Sequence, residues 1–215
     1  MPHYTWGRVS DEELARVKGQ PAARFLGDDT LGAGLQMAIY DLLGKANDVP
    51  VYKLFNLEKI RDWCPISWWN VDMPPEEFAA EATEAVKRGY TSHKIKGRPW
   101  WDIYAQVEAV RDAVPDYYHL EIDWNQMLTT VSNAVPVLQR LDTYPIVSIY
   151  ESPIKQSDVE GNVQLRKKIA RPIAFHYGGP LLSTVVRDEV CDGFVIGGGI
   201  TNVLKHGISS AEFDK

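Results

Sequence analysis

The spacing of apolar positions changes character at Cys64. Before it, Ser10-Asp11-Glu12-Glu13 has the form of a capping box and predicts a short helix. Leu31, Leu35, Ala38, Ile39 and Leu42 then form a helical stripe over Leu31–Lys45, with Gly44 as the expected stop and Pro50 barring continuation. After Cys64, short β-rich runs alternate with amphipathic stretches of helical length. Strands are predicted near Cys64–Trp69, Tyr90–Lys96, His119–Trp124, Ile146–Glu151, Pro172–Tyr177 and Cys191–Ile196. Helices are predicted over Pro75–Arg88, Trp101–Val114, Thr129–Asp142 and Ser157–Ala170, and again from Thr201. This alternation describes a parallel α/β fold, and either a (β/α) barrel or a doubly wound sheet satisfies it.

Composition narrows the function more than the fold. With 215 residues, 45% of them hydrophobic and 24% charged, the chain can bury a sizeable core. A net charge of −6 without a dominant basic cluster argues against a nucleic-acid partner. Cys64 and Cys191 lie far apart and imply neither a disulfide framework nor a zinc knuckle. No basic-then-apolar leader occupies Met1–Ser10 and no run is long enough to span a bilayer, so a cytoplasmic protein with no membrane partner is expected.

The chemistry is suggested by polar residues at successive strand ends. Lys94 and Lys96 are followed by Asp123 with Asn125, then Glu151, then His176; from Lys96 the steps are 27, 28 and 25 residues, each one βα unit. In parallel α/β folds the strand C-termini face one site, so the repetition gathers these groups. Taken singly, each is a solvated strand-end charge or a helix cap. In register, Asp123 and Glu151 are hard oxygen ligands of the kind Mg²⁺ prefers. Lys94 and Lys96 share parity and point to the same face. A lysine beside a divalent cation or a second ammonium has its charged form disfavoured, which prepares it to act as a base.

At these residues the chain resembles the enolase superfamily, mandelate racemase and muconate lactonizing enzyme included, and in particular its acid-sugar dehydratase branch. Ala38-x-x-Asp41-Leu42-x-Gly44-Lys45 with Val49-Pro50-Val51-Tyr52-x-Leu54 resembles the junction between that family's capping domain and its barrel. Lys94-x-Lys96 resembles its base motif, Asp123-x-Asn125-Gln126 its first metal ligand and Glu151-Ser152-Pro153 its second. Pro172-Ile173-Ala174 resembles the approach to the third ligand, and Gly198-Gly199-Ile200-Thr201 the turn after the sixth strand. The resemblance implies a TIM-type (β/α) barrel, incomplete at about six of eight units and truncated at both ends. Residues 1–60 would be the remnant of a capping domain, and 61–215 the barrel's first six strands. It further implies Mg²⁺-assisted removal of the proton α to a carboxylate through an enolate. Lys96 would be the base, Lys94 its electrostatic partner and Asn125 a substrate contact.

Two departures shape the expected reaction. The approach to the third ligand holds no carboxylate, so His176 is expected either to replace it or to serve as an acid or substrate contact, with its parity against Tyr177 unresolved. Gly197 stands where some branches carry a second base. A single base suits dehydration of a hydroxy acid, an acid sugar, better than racemisation or cycloisomerisation. An open barrel would expose the edges of its first and sixth strands, which fits a gene fragment, a degenerate copy without catalysis, or a homo-oligomer covering those edges. Trp68, with Trp69, Trp100 and Trp101, is a candidate for flanking a sugar-like substrate or for packing under helices. His93 should face the helices or the surface, and His119 and Glu121 the barrel interior.

Overall fold

The computed structural model describes residues 9–215. Residues 1–8, the start of the expected capping remnant, lie outside them. The described residues form two compact units, 9–63 with Ile196–Ser209, and Cys64–Val195 with Ser210–Lys215.

In the first unit, α1 (Asp11–Val17) opens with both bonds of the capping box: the Glu13 amide donates to Ser10 Oγ at 3.1 Å and the Ser10 amide to Glu13 Oε2 at 2.8 Å. Helix α2 (Gly32–Ala46) buries Leu35 and Ile39 with Phe25 and Leu31 in a small apolar cluster. Two expectations change here. Leu42 is exposed, and the buried face instead takes in Gln36 and Tyr40. Gly44 does not stop the helix but sits inside it, where an added Cβ would meet the Val49 carbonyl oxygen at 2.9 Å. Glycine there permits the close approach of the following loop.

Helix α8 (Ile200–Ala211) begins on a cap supplied from far away in sequence. Asp29 accepts from the Thr201 and Asn202 amides at 3.2 and 2.9 Å, and Gln36 accepts from the Ile200 amide at 2.6 Å. Hydrogen bonds from Thr201 and Gln36 hold the Asp29 carboxyl below its ordinary range. A side chain at Gly199 would collide with the Asp29 carboxylate, so the glycine at that position makes room for this cap.

The second unit is the α/β body. Its strands are β1 (Trp68–Trp69), β2 (Ser92–Lys96), β3 (His119–Asp123), β4 (Val147–Glu151), β5 (Ile173–His176) and β6 (Gly193–Val195). Between them lie α3 (Pro75–Lys87), α4 (Ile103–Ala113), α5 (Val131–Leu141), α6 (Val159–Arg166) and α7 (Leu182–Asp188). All strand pairs are parallel, in the order β1-β2-β3-β4-β5-β6. That sequential order excludes the doubly wound alternative, whose strand order reverses at a central switch point. The sheet is a six-stranded arc of a (β/α) barrel.

Alternation along the strands divides the two faces. Ile95, Leu120, Ile122, Tyr150, Ile173 and Phe175 are buried among helix residues such as Phe78, Ala82, Val107, Val110, Leu138 and Leu165. His93 joins them, edge-on to Phe78 and Tyr118, which settles its orientation toward the helices. The opposite face carries Lys94, Lys96, Glu121, Asp123 and Glu151. No helix among the described residues is long and apolar enough to cross a membrane.

Candidate functional site

Strand register places the charged residues side by side. Lys94 pairs with Glu121 and Lys96 with Asp123 across β2 and β3, and Asp123 pairs with Glu151 across β3 and β4. Glu151 pairs with Ala174, so His176, two residues further along β5, returns to the same face. Tyr177 turns the other way, its ring 5.0 Å from that of Phe194. Register therefore decides between the two aromatic candidates in favour of His176.

Asp123 and Glu151 are fully buried. Lys96 Nζ donates to Asp123 Oδ2, and Lys94 Nζ to Glu151 Oε2, with Glu121 Oε1 at 3.5 Å and Asp123 Oδ2 at 3.8 Å from Lys94. Asn125 wraps Asp123, its amide donating to Oδ1 at 2.9 Å and its side chain to Oδ2 at 3.3 Å. Arg98 in turn donates to Asn125 Oδ1 at 3.1 Å while its Nε lies 3.2 Å from Asp72. Beside the cluster, Gln126, Gln156, Ser157, His176, Tyr177, Gly179 and Pro180 line an open cavity of about 550 Å³.

Electrostatics differ from the sequence expectation for Lys94. Burial opposes the charge on Lys94, yet its bond to Glu151 and the carboxylates of Glu151, Glu121 and Asp123 raise its pKa above the ordinary lysine range. Three carboxylates around one ammonium thus outweigh the cost of burying it. For Asp123, burial works toward the neutral acid, but Lys96 and the Asn125 amide prevail and lower its pKa. Burial and the adjacent Asp123 charge push Glu151 up to about 7, against the pull of Lys94.

Asp123, Glu151 and His176 each offer one donor atom, all within 4.8 Å of one another. His176 Nε2 lies 2.7 Å from Glu151 Oε1, close enough for an ion pair. That buried oxygen nonetheless makes no hydrogen bond. A buried carboxylate oxygen that accepts no hydrogen bond is costly unless a cation completes it. Two carboxylates with an imidazole form a donor set that fits a divalent cation, the carboxylates being the part that suits Mg²⁺.

Not every expected residue joins the cluster. Trp68 turns to the helix layer, donating to Glu81 Oε2 at 2.8 Å, edge-on to Tyr90 and under Arg88. His119 is exposed rather than interior, while Glu121 does point inward and stands beside Lys94. Parity with Asp123 is the signal that marks Glu121. Arg98 carries the same kind of signal, two residues beyond Lys96, but Gln156 lies in a loop where no periodicity operates.

The family model described as Enolase C-terminal domain-like matches residues 77–177. A hydrophobic dipeptide epimerase from Enterococcus faecalis is 35% identical over 163 residues, covering 74% of this chain and 41% of that protein. A D-gluconate dehydratase from Thermoproteus tenax is 28% identical over 199 residues, covering 80% of this chain and 38% of that protein. This chain thus spans about two fifths of the length of the curated relatives it matches. Among solved structures, the Enterococcus faecalis dipeptide epimerase complexed with Mg and the dipeptide L-Leu-L-Tyr superposes with a TM-score of 0.71 at 26% identity, covering 86% of this chain and 54% of that one.

Proposed function

The chain belongs to the enolase superfamily, and from that premise we propose that it is built for Mg²⁺-dependent removal of the proton α to a carboxylate, completed as dehydration of a hydroxy acid of the acid-sugar type. The observation that carries this reading is the pairing of Lys96 with buried Asp123 directly beside Glu151 and His176. Asp123, Glu151 and His176 would hold the cation, which when bound supplies charge stabilisation to the substrate carboxylate.

The chain's own residues do the remaining work. Lys96, once it has given up the proton it directs at Asp123, takes the α-proton. The electron pair of the broken C–H bond is first held as the enolate of the substrate carboxylate and then forms the double bond to the β-carbon as the C–O bond there breaks. The ammonium formed on Lys96 can return its proton to the departing hydroxyl, releasing water and an enol that becomes a 2-keto acid. Lys94, kept charged by its carboxylate neighbours, pairs with substrate carboxylate. Asn125, braced by Arg98, holds Asp123 in orientation.

A second reading, racemisation or epimerisation, is favoured by the epimerase names among the relatives. Incubation of a 2,3-dihydroxy acid in deuterated buffer separates the two. A 2-keto acid product supports dehydration, whereas α-deuterium in recovered substrate without keto acid supports epimerisation. Neither product, with calorimetry showing no Mg²⁺ binding that Asp123→Ala or Glu151→Ala abolishes, would leave a chain that keeps the fold without the activity. His176 has its own alternative, because its ring is half exposed and could act as an acid toward substrate. Loss of Mg²⁺ affinity in His176→Ala assigns it to the metal; loss of turnover alone assigns it to acid catalysis.

A further inference from the structure

His176 stands at the end of β5 with a half-exposed ring, and nothing in its own strand fixes that ring. On one side its backbone pairs with β6 at Val195; on the other it is held by a side chain from the loop after β4. Gln156 Nε2 donates to the His176 carbonyl at 2.9 Å and to the Gly179 carbonyl at 2.7 Å. Its Oε1 accepts from the His176 amide at 3.2 Å and from Ser152 Oγ at 3.0 Å. Both N–H groups and both faces of the carbonyl oxygen are thus engaged. Ser152 is buried, follows Glu151 directly and has a left-handed backbone at φ 44, so its hydroxyl ties the clamp to the strand end that carries the carboxylate.

We propose that Gln156 is the positioning residue of this site: its carboxamide locks residues 176–179 to the end of β4 and thereby holds the His176 imidazole against Glu151. Only a neutral amide of this length serves. A carboxylate at the same place would face two carbonyl oxygens with no donor, and a shorter amide would not span the loop. Gln156 cannot at the same time bind substrate through its amide, because all of its polar capacity is spent. Its effect on metal affinity rests on the reading of Asp123, Glu151 and His176 as a metal set; its hold on the ring does not.

The test uses the whole chain with histidine labelled by ¹⁵N, compared as wild type, Gln156→Glu and Gln156→Ala at one pH. The ring signals of His176 should move or broaden in both variants while those of buried His93 stay in place, which also reports that the fold survives. Gln156→Ala separates loss of the clamp from the added charge of Gln156→Glu. In parallel, Mn²⁺ titration followed by electron paramagnetic resonance should show tenfold or greater weakening in Gln156→Glu, as expected for a residue that orients a ligand. In a His176→Ala background the same substitution should add less than twofold. Unchanged His176 ring signals in both variants would overturn the proposal, as would a full Gln156→Glu penalty on Mn²⁺ affinity without His176; moved ring signals with unaltered Mn²⁺ affinity would uphold the clamp and remove His176 from the metal set. Absence of Mn²⁺ binding in the wild-type chain would instead overturn the metal reading, and the ring spectra would then decide the role of Gln156 by the same two outcomes.

Discussion

Strand β2 presents two faces that bury titratable groups in opposite ways. On the helix side, His93 is fully buried between Phe78 and Tyr118; Nε2 lies 2.7 Å from Asn70 Oδ1 and Nδ1 has no partner. Desolvation lowers its pKa to about 4, with only a weak opposing pull from Glu81. On the inner side, Lys94 is nearly as enclosed but is surrounded by Glu121, Asp123 and Glu151, and its pKa rises. Burial is common to both. The difference is the charge partner, so the same strand keeps one base neutral and one cation charged.

The largest expected effect falls on the inner face. Lys96→Ala should lower α-proton exchange by about 10²- to 10⁴-fold, the usual contribution of a general base, while thermal unfolding still reports a folded chain. Exchange that survives in that variant would remove Lys96 from the chemistry. On the outer face, Ile95 is fully buried, and Ile95→Ala should cost about 2–5 kcal/mol in denaturant unfolding because a cavity replaces packed methyl groups. Together these two neighbours sharpen the contrast: one substitution should strike turnover and the other stability.

His93 tests the electrostatic half of the comparison. Its folded pKa of about 4 lies below the ordinary 6.5, so the unfolded chain takes up the proton first as pH falls. Its contribution to stability is whole above pH 6.5, declines as pH drops toward 4 and levels off below; the loss is on the order of 3 kcal/mol. His93→Gln should remove that decline, and the difference between the two unfolding profiles isolates it from the carboxylates that titrate nearby. Parallel profiles would show that His93 is not held neutral. The smallest effect belongs to Glu121→Gln, which removes one of three carboxylates from Lys94. It should raise KM for a carboxylate substrate several-fold with little change in kcat, consistent with a partly buried ion pair at 3.5 Å worth about 1 kcal/mol. A change in kcat alone would place Glu121 in the chemistry instead.

Much of this arrangement is legible along the chain. The alternation of β runs and amphipathic stretches implies a parallel α/β body, and the even spacing of Lys96, Asp123, Glu151 and His176 implies one site, because a period of one βα unit returns the chain to the same end of the sheet. Parity along a strand puts Lys94 with Lys96 and separates both from His93. These inferences depend only on local geometry that repeats regularly.

What the sequence by itself determined, then, is the order of elements and the strand end at which each charged group emerges. Tertiary structure decided the rest. It chose a sequential barrel arc over a doubly wound sheet, turned His176 rather than Tyr177 inward, sent Trp68 to the helix layer, and brought Asp29 to the start of α8 and Gln156 to the backbone of His176. It also reversed the expected shift of Lys94. The physical reason is common to these cases: strand order, loop reach and the balance between burial and charge depend on groups distant in sequence, and no periodicity of the chain encodes which of them will meet.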